Sequence, residues 1–274
     1  MKKKTSADVR HIDTSYGKIR VLEYGFGSGK ASPLFVDIHG GGWALMSPEQ
    51  DEKINLIIRK RTNVKVISID YPKAPQNPFP AGIEATYEVI KHYSDNAEEY
   101  GIDPNNIGIG GYSSGGNFAT VACIKANERK DLKIRYQILC YPGTDAAEDP
   151  YKKPECKKIL SNKMIERIVL CYVTDPKDAF SPYASPVYAT KDQLTGLPPA
   201  LMILGGKGDP LTPEGQRYCK NLKDAGVRVK LHEFKDALHG FVQFKGEDGE
   251  KAVELIIDFI NANIAEKSAG SGDI

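Results

Sequence analysis

Two amphipathic segments open the pattern, Asp8 to Thr14 and Lys18 to Tyr24, in which apolar and polar residues alternate. Joined near Gly17, they predict an antiparallel hairpin at the edge of a sheet. The pattern then changes. Pro33 to Ile38, Val64 to Ile69, Asn106 to Ile109, Ile134 to Cys140 and Ala200 to Leu204 are short continuous apolar runs, the form taken by strands buried on both faces of a parallel sheet. Helical patterns alternate with them. Ser47-Pro48-Glu49-Gln50 reads as a capping box opening a helix to about Lys60, Pro80 opens one to about Tyr100, and a third runs from about Gly115 to Ala126. Thr212-Pro213-Glu214 reads as an N-cap with proline at the first helical position. The last helix runs from near Glu250 to Ile264, with Val253, Ile256, Ile257 and Ile260 on one face. This alternation predicts a doubly wound, mostly parallel sheet with helices on both faces.

One segment breaks the alternation. Between Pro142 and Pro186 there is no sheet-like run, only charged loops around a helical stretch from Lys157 to Val173. A long insertion after a core strand suits a lid over a site. The expected organisation is therefore a core of residues 1–142 and 186–267, a small inserted cap at 143–185, and a disordered Gly/Ser-rich tail at 268–274.

Composition narrows the class. The 274 residues, 41% apolar and 27% charged, suit one sizeable globular core, and the net charge of +1 carries no basic footprint for nucleic acid or a membrane surface. Lys2, Lys3 and Lys4 are followed by no apolar stretch of the kind a signal peptide needs, and no run approaches the ~18 residues of a membrane span. Cys123, Cys140, Cys156, Cys171 and Cys219 form neither C-x-x-C pairs nor zinc spacings, and read as reduced, mostly buried thiols of a cytoplasmic protein.

The candidate chemistry sits where strands meet helices. Gly111-Tyr112-Ser113-Ser114-Gly115 matches G-x-S-x-G between a predicted strand and a predicted helix, the context in which small flanking residues turn the chain sharply and expose a serine hydroxyl. His39-Gly40-Gly41-Gly42 follows directly on the strand ending at Ile38, at the carboxyl end where open α/β sheets bind ligands. Its glycines free backbone N–H groups to face a developing oxyanion, so Gly41, Gly42 and Ser114 are the expected donors, with His39 and Gly40 shaping the loop.

Of five histidines, His11 falls in the hairpin, His92 within a helix, and His232 on one face of the strand Val227 to Phe234 with Arg228 and Lys230, solvated. His239 lies in the loop after that strand, before Gly240, and is the expected base. Asp209, in the loop after Ala200 to Leu204, is the expected acid. Asp236 is only three residues from His239 and suits a local turn contact better.

Together these residues resemble the hormone-sensitive-lipase-like esterases, the bacterial family IV carboxylesterases of the α/β-hydrolase superfamily. Asp70-Tyr71-Pro72-Lys73-Ala74-Pro75-Gln76-Asn77-Pro78-Phe79-Pro80-Ala81 is similar to that family's D-Y-R-L-A-P-E-x-x-F-P-A. Asp209-Pro210-Leu211 with Glu214-Gly215 is similar to D-P-L-x-x-E-G, and His239-Gly240-Phe241 to H-G-F. Tyr112 and Ser114 replace the usual Asp and Ala of G-D-S-A-G-G, and Pro72 and Gln76 replace the usual Arg and Glu. Only 38 residues precede His39, fewer than the family's helical N-terminal cap needs, so the lid is expected to consist of the insertion alone.

The resemblance implies an α/β-hydrolase fold and ester hydrolysis through an acyl-enzyme on Ser113, with no metal or organic cofactor. Bulky residues such as Trp43, with Tyr112 beneath the elbow and Met164, Ile165 and Ile168 on the lid helix, are expected to wall a short pocket. That favours acetyl to butyryl esters, foremost those of decorated sugars or small alcohols. The alternatives are an arylformamidase, which shares a His-Gly-Gly motif before an aromatic, and a small-molecule receptor on the same fold. Expected partners are thus a small ester and no nucleic acid or membrane. A homodimer through the edge strand Val227 to Phe234 is a further expectation, although the strand's alternating charges equally protect an open edge.

Overall fold

The computed structural model describes residues 5–27, 31–156, 159–206 and 208–264. The expected cationic start at Lys2 to Lys4, the first two residues of the proposed lid helix and the tail from Ser268 lie outside the described residues. Eight strands form one sheet in the order β1-β2-β4-β3-β5-β6-β7-β8. These are β1 (Asp8–Thr14), β2 (Gly17–Tyr24), β3 (Ser32–Ile38), β4 (Lys65–Asp70), β5 (Ile102–Tyr112), β6 (Ile134–Cys140), β7 (Ala200–Leu204) and β8 (Val229–Glu233). The hairpin β1–β2 joins β4 antiparallel, and every other pairing is parallel. The runs read as doubly buried strands are so: β3, β6 and β7 are buried along most or all of their lengths.

The connecting helices are α1 (Glu52–Thr62), α2 (Ala81–Asp95), α3 (Ala97–Tyr100), α4 (Ser114–Arg129), α5 (Asn162–Tyr172), α6 (Lys191–Leu194), α7 (Thr212–Asp224) and α8 (Glu247–Asn263). Separate apolar clusters lie on the two faces of the sheet. One includes α2 and α4 residues such as Ile83, Tyr87 and Phe118. The other includes Ile54 and Ile58 of α1 with Ile256 and Ile260 of α8.

Several boundaries differ from the pattern, each for a local reason. β5 extends to Tyr112, well past Ile109, because Gly108, Gly110 and Gly111 continue the ladder without supplying apolar side chains. A Cβ on Gly108 would fall 1.9 Å from the Tyr136 ring and one on Gly110 2.6 Å from Phe35, so neighbouring rings fill that space. The expected helix from Pro80 breaks at Asn96, whose side-chain amide and own N–H both donate to the His92 carbonyl, at 2.8 and 3.1 Å. The expected capping box does not form at Ser47: residues Pro48–Asp51 make a 3-10 turn without a side-chain cap bond, and α1 starts only at Glu52. Thr212 is the first residue of α7, not its cap, and its hydroxyl instead donates to the Gly205 carbonyl at 3.1 Å, tying down the loop that carries Asp209. α8 begins at Glu247, earlier than Glu250, because Gly249 can lie against the carbonyls of Phe241 and Phe244 where a Cβ would meet them at 2.8 and 2.9 Å. The helix of the insertion is shorter at its start, with Ser161 as its N-cap accepting from the Met164 N–H at 3.3 Å.

Cys123, Cys140, Cys156 and Cys219 are buried and Cys171 is half-buried. Among the described residues no helix is long and apolar enough to cross a membrane.

Candidate active site

β5 delivers Ser113 at its carboxyl end, immediately before α4. Ser113 has φ 55 and ψ −118, a conformation that a residue with a side chain adopts only at a cost. The motif glycines permit it: a Cβ on Gly111 would fall 2.2 Å from the Gly115 carbonyl oxygen, and one on Gly115 1.9 Å from that of Ile38. The elbow is pinned on three sides. The Ser113 N–H donates to Cys140 O at 2.9 Å, and the Ser113 carbonyl accepts from Gly143 and Asn117, each at 3.1 Å.

His239, in the loop between β8 and α8, places Nε2 2.9 Å from Ser113 Oγ. Its Nδ1 lies 3.1 Å from both carboxylate oxygens of Asp209. Asp209 is fully buried and His239 nearly so. A buried carboxylate only accepts, so Nδ1 carries the proton and Nε2 is left to accept from the serine hydroxyl. The Leu211 N–H donates to Asp209 Oδ1 at 2.9 Å, which fixes the carboxylate before the histidine reaches it. His11 is exposed on β1, His92 bonds Tyr100 Oη at 2.9 Å, and His232 is half-buried on edge strand β8, not fully solvated. Asp236 is exposed and is not a partner of His239.

The His39-to-Gly42 loop lies across the elbow. His39 is buried, stacks on Tyr71 with centroids 4.4 Å apart, and donates from Nδ1 to the Gly40 carbonyl at 2.6 Å. Burial, with Lys73 nearby, pushes its pKa down to about 3, so it stands neutral and holds a proton too weakly to act as the general base. Tyr71 Oη donates to the His39 carbonyl at 3.1 Å, Gln50 to that of Gly40 at 3.3 Å, and the Ala74 N–H to that of Trp43 at 3.0 Å. Gly41 has φ +128 and Gly42 φ +58, which only glycine adopts without strain. The N–H groups of Gly41, Gly42 and Ser114 have no hydrogen-bond partner among the described residues, and all three residues line the cavity that holds Ser113. Ser114 also opens the sixteen-residue α4, whose positive end faces the elbow.

That cavity measures about 200 Å³. Trp43, Tyr112, Met164 and Ile168 line it, together with Leu160, Ile165 and Leu211. Trp43 stacks on Tyr172 with centroids 4.3 Å apart and planes at 4°. Ile168 of α5 sits where a Cβ on Gly42 would be, 2.6 Å away.

Three features had no role assigned from the sequence. Tyr141, with φ 36, sets its ring edge against His239 at 4.9 Å and donates its hydroxyl to Gln243, whose amide donates to buried Asp51 at 3.1 Å. Glu214 is buried, pairs with Lys153 of the insertion and accepts from the Thr144 N–H at 2.6 Å. Burial raises the Glu214 pKa and Lys153 opposes it. Asp37 on β3 is buried among Asn55 and Ser68, and burial pushes its pKa up to about 6. The available signals were the motif similar to D-P-L-x-x-E-G at Glu214 and a charged residue in an apolar run at Asp37.

A family model described as the alpha/beta hydrolase fold matches residues 35–243. The carboxylic ester hydrolase LipN of Mycobacterium tuberculosis is 33% identical over 255 residues, covering 88% of this chain and 66% of its own length. The chain belongs to the hormone-sensitive-lipase-like carboxylesterase family of the α/β-hydrolase superfamily. An arylesterase of Saccharolobus solfataricus is 32% identical over 214 residues, 76% of this chain and 68% of its own. Among solved structures, the hyperthermophilic esterase of Pyrobaculum calidifontis superposes with a TM-score of 0.88 at 33% identity, covering 95% of this chain and 85% of its own. The chain thus spans about two thirds of the length of these curated family members.

Proposed function

We propose that the chain is a serine carboxylesterase that hydrolyses short-chain acyl esters through an acyl-enzyme on Ser113. The observation that carries this is the hydrogen-bonded series from Ser113 Oγ through His239 to both oxygens of Asp209. His239 Nε2 takes the hydroxyl proton as Ser113 Oγ attacks the ester carbonyl carbon. The carbonyl oxygen becomes an oxyanion and accepts from the N–H groups of Gly41, Gly42 and Ser114, which have no other partner to give up. The tetrahedral intermediate collapses as His239 returns the proton to the alcohol oxygen, and the alcohol leaves. Water, deprotonated by the same Nε2, then attacks the acyl carbon and releases the acid and free Ser113. Asp209 holds the tautomer and stabilises the imidazolium in both halves.

The short-acyl part rests on size. About 200 Å³ falls below the ~300–1,000 Å³ of pockets that enclose drug-sized ligands. Residues from the 143–185 insertion supply much of the wall, which supports its role as a cap. A series of p-nitrophenyl esters from acetate to palmitate, with N-formylkynurenine alongside, tests the reading. Acetyl to butyryl esters should give the highest kcat/KM, and Ser113 should react stoichiometrically with a fluorophosphonate. A maximum at dodecanoyl or beyond refutes the short pocket. An unlabelled, folded protein refutes the serine mechanism, and preference for the formamide makes the chain an arylformamidase.

A further inference from the structure

The cavity has an exposed apolar rim. Among the described residues, five of the twelve exposed large hydrophobic side chains line this one cavity: Leu45, Met46, Ile159, Met164 and Phe244. Met46 is 61% and Phe244 55% exposed. An apolar patch left in water around a catalytic opening marks a binding surface.

The charged and amide side chains around it are already committed. Lys153, Glu214 and Asp145 line the cavity, but Lys153 donates to Glu148 at 2.9 Å and to Glu214, and Asp145 pairs with Arg217. The side-chain amide of Gln50 donates to the Gly40 carbonyl at 3.3 Å, and that of Gln243 to Asp51 at 3.1 Å. A polyhydroxylated group entering here would surrender water and find few side chains free to bond its hydroxyls, chiefly the unpaired Trp43 indole N–H.

The chemistry decides which half of the ester meets the rim. The alcohol oxygen receives its proton from His239 Nε2 and leaves first, so the alcohol lies beside His239 and on the way out. Phe244 is five residues beyond His239, and its ring lies 3.6 Å from where a Cβ on Gly240 would be. Met46 borders the oxyanion loop, its Cβ 3.2 Å from the corresponding position on Gly41. We infer that the alcohol half of the substrate is an apolar alkyl or aryl group held by Phe244 and Met46, and not a sugar. The inference rests on the ester-hydrolase reading above and narrows the esters of decorated sugars or small alcohols expected from sequence to those of apolar alcohols.

Acetates of straight-chain alcohols from ethyl to hexyl, each below its solubility limit, hold the acyl group and the leaving-oxygen acidity nearly constant. kcat/KM should rise about tenfold across the series, the return expected when added methylenes are partly buried. In the double variant Phe244→Ser, Met46→Ser the hexyl-to-ethyl ratio should fall to about twofold. A second readout needs neither variant nor turnover. Trp43 is the chain's single tryptophan and lines the same cavity, so hexan-1-ol should perturb its fluorescence at concentrations about tenfold lower than ethanol does. A flat series with equal affinities for the two alcohols, or faster turnover of an acetylated glucoside than of hexyl acetate, overturns the inference. So does a rate that jumps only above the solubility limit, which would make the rim a docking site for lipid aggregates. Fluorophosphonate labelling, which expels fluoride and carries no substrate alcohol, separates the two levels: unlabelled Ser113 sinks the hydrolase reading, whereas labelled Ser113 with a flat series sinks this inference alone.

Discussion

Ser113 is held in a conformation with positive φ by contacts that belong to its neighbours, and this makes the elbow sensitive to single atoms. Ser113→Ala removes the nucleophile and should abolish turnover of p-nitrophenyl acetate while leaving the fold intact. Asp209→Asn offers His239 an amide in place of the second carboxylate oxygen and favours the wrong tautomer. A loss of about 10⁴ in kcat is expected, as for the same change in a serine protease. His232→Ala, on edge strand β8 and outside the hydrogen-bonded series, should change kcat less than twofold, within roughly 0.5 kcal/mol. If it proved as damaging as His239→Ala, the choice of base would be wrong. Ser113, Asp209 and His239 were legible in the sequence because each follows a strand that could be recognised. Tyr141 was not, since its contact with His239 depends on a backbone twist at the end of β6 that no residue pattern announces.

Between elements, buried charge sets the balance. The insertion is tied to the core by Lys153 against Glu214 on α7, and Glu214 also accepts two backbone N–H groups, from Thr144 and Asp145. Lys153→Met strands one buried carboxylate and should cost about 3 kcal/mol in urea unfolding. Glu214→Leu should cost more, because it leaves two buried N–H groups without partners and reduces the buried Lys153 ammonium to Glu148 as its one carboxylate. Equal costs would show that the backbone bonds contribute nothing.

Asp37, beneath the oxyanion loop, behaves in the opposite sense to a surface carboxylate. Burial raises its pKa to about 6, so the stability linked to its protonated form is complete below the ordinary carboxyl range and is lost as pH rises through about 6. Asp37→Asn should therefore gain stability relative to the parent as pH rises from 4 to 8. A pH-independent difference would contradict that assignment. At this scale the sequence predicted the strands and most helices, but missed the break at Asn96 and the uncapped start of α1, where a side chain's choice of partner decides the boundary.

For the molecule as a whole, substrate range depends on how α5 of the insertion meets the oxyanion loop of the core. Ile168 fills the space above Gly42, so Ile168→Ala should admit longer acyl chains and raise the hexanoate-to-acetate ratio of kcat/KM severalfold, with methylenes contributing about 0.8 kcal/mol each when buried. An unchanged ratio would place the limit on acyl length elsewhere. The sequence by itself determined the doubly wound sheet, the order of its strands along the chain, the elbow and the glycine-rich loop, because these follow from local periodicity and from the steric freedom of particular residues. The tertiary structure alone decided which side chains close the cavity, that the charged and amide side chains around it are already paired, and that Met46 and Phe244 remain in water at its mouth. Those properties arise from contacts between segments distant in sequence, where burial and pairing depend on the partner and not on the residue.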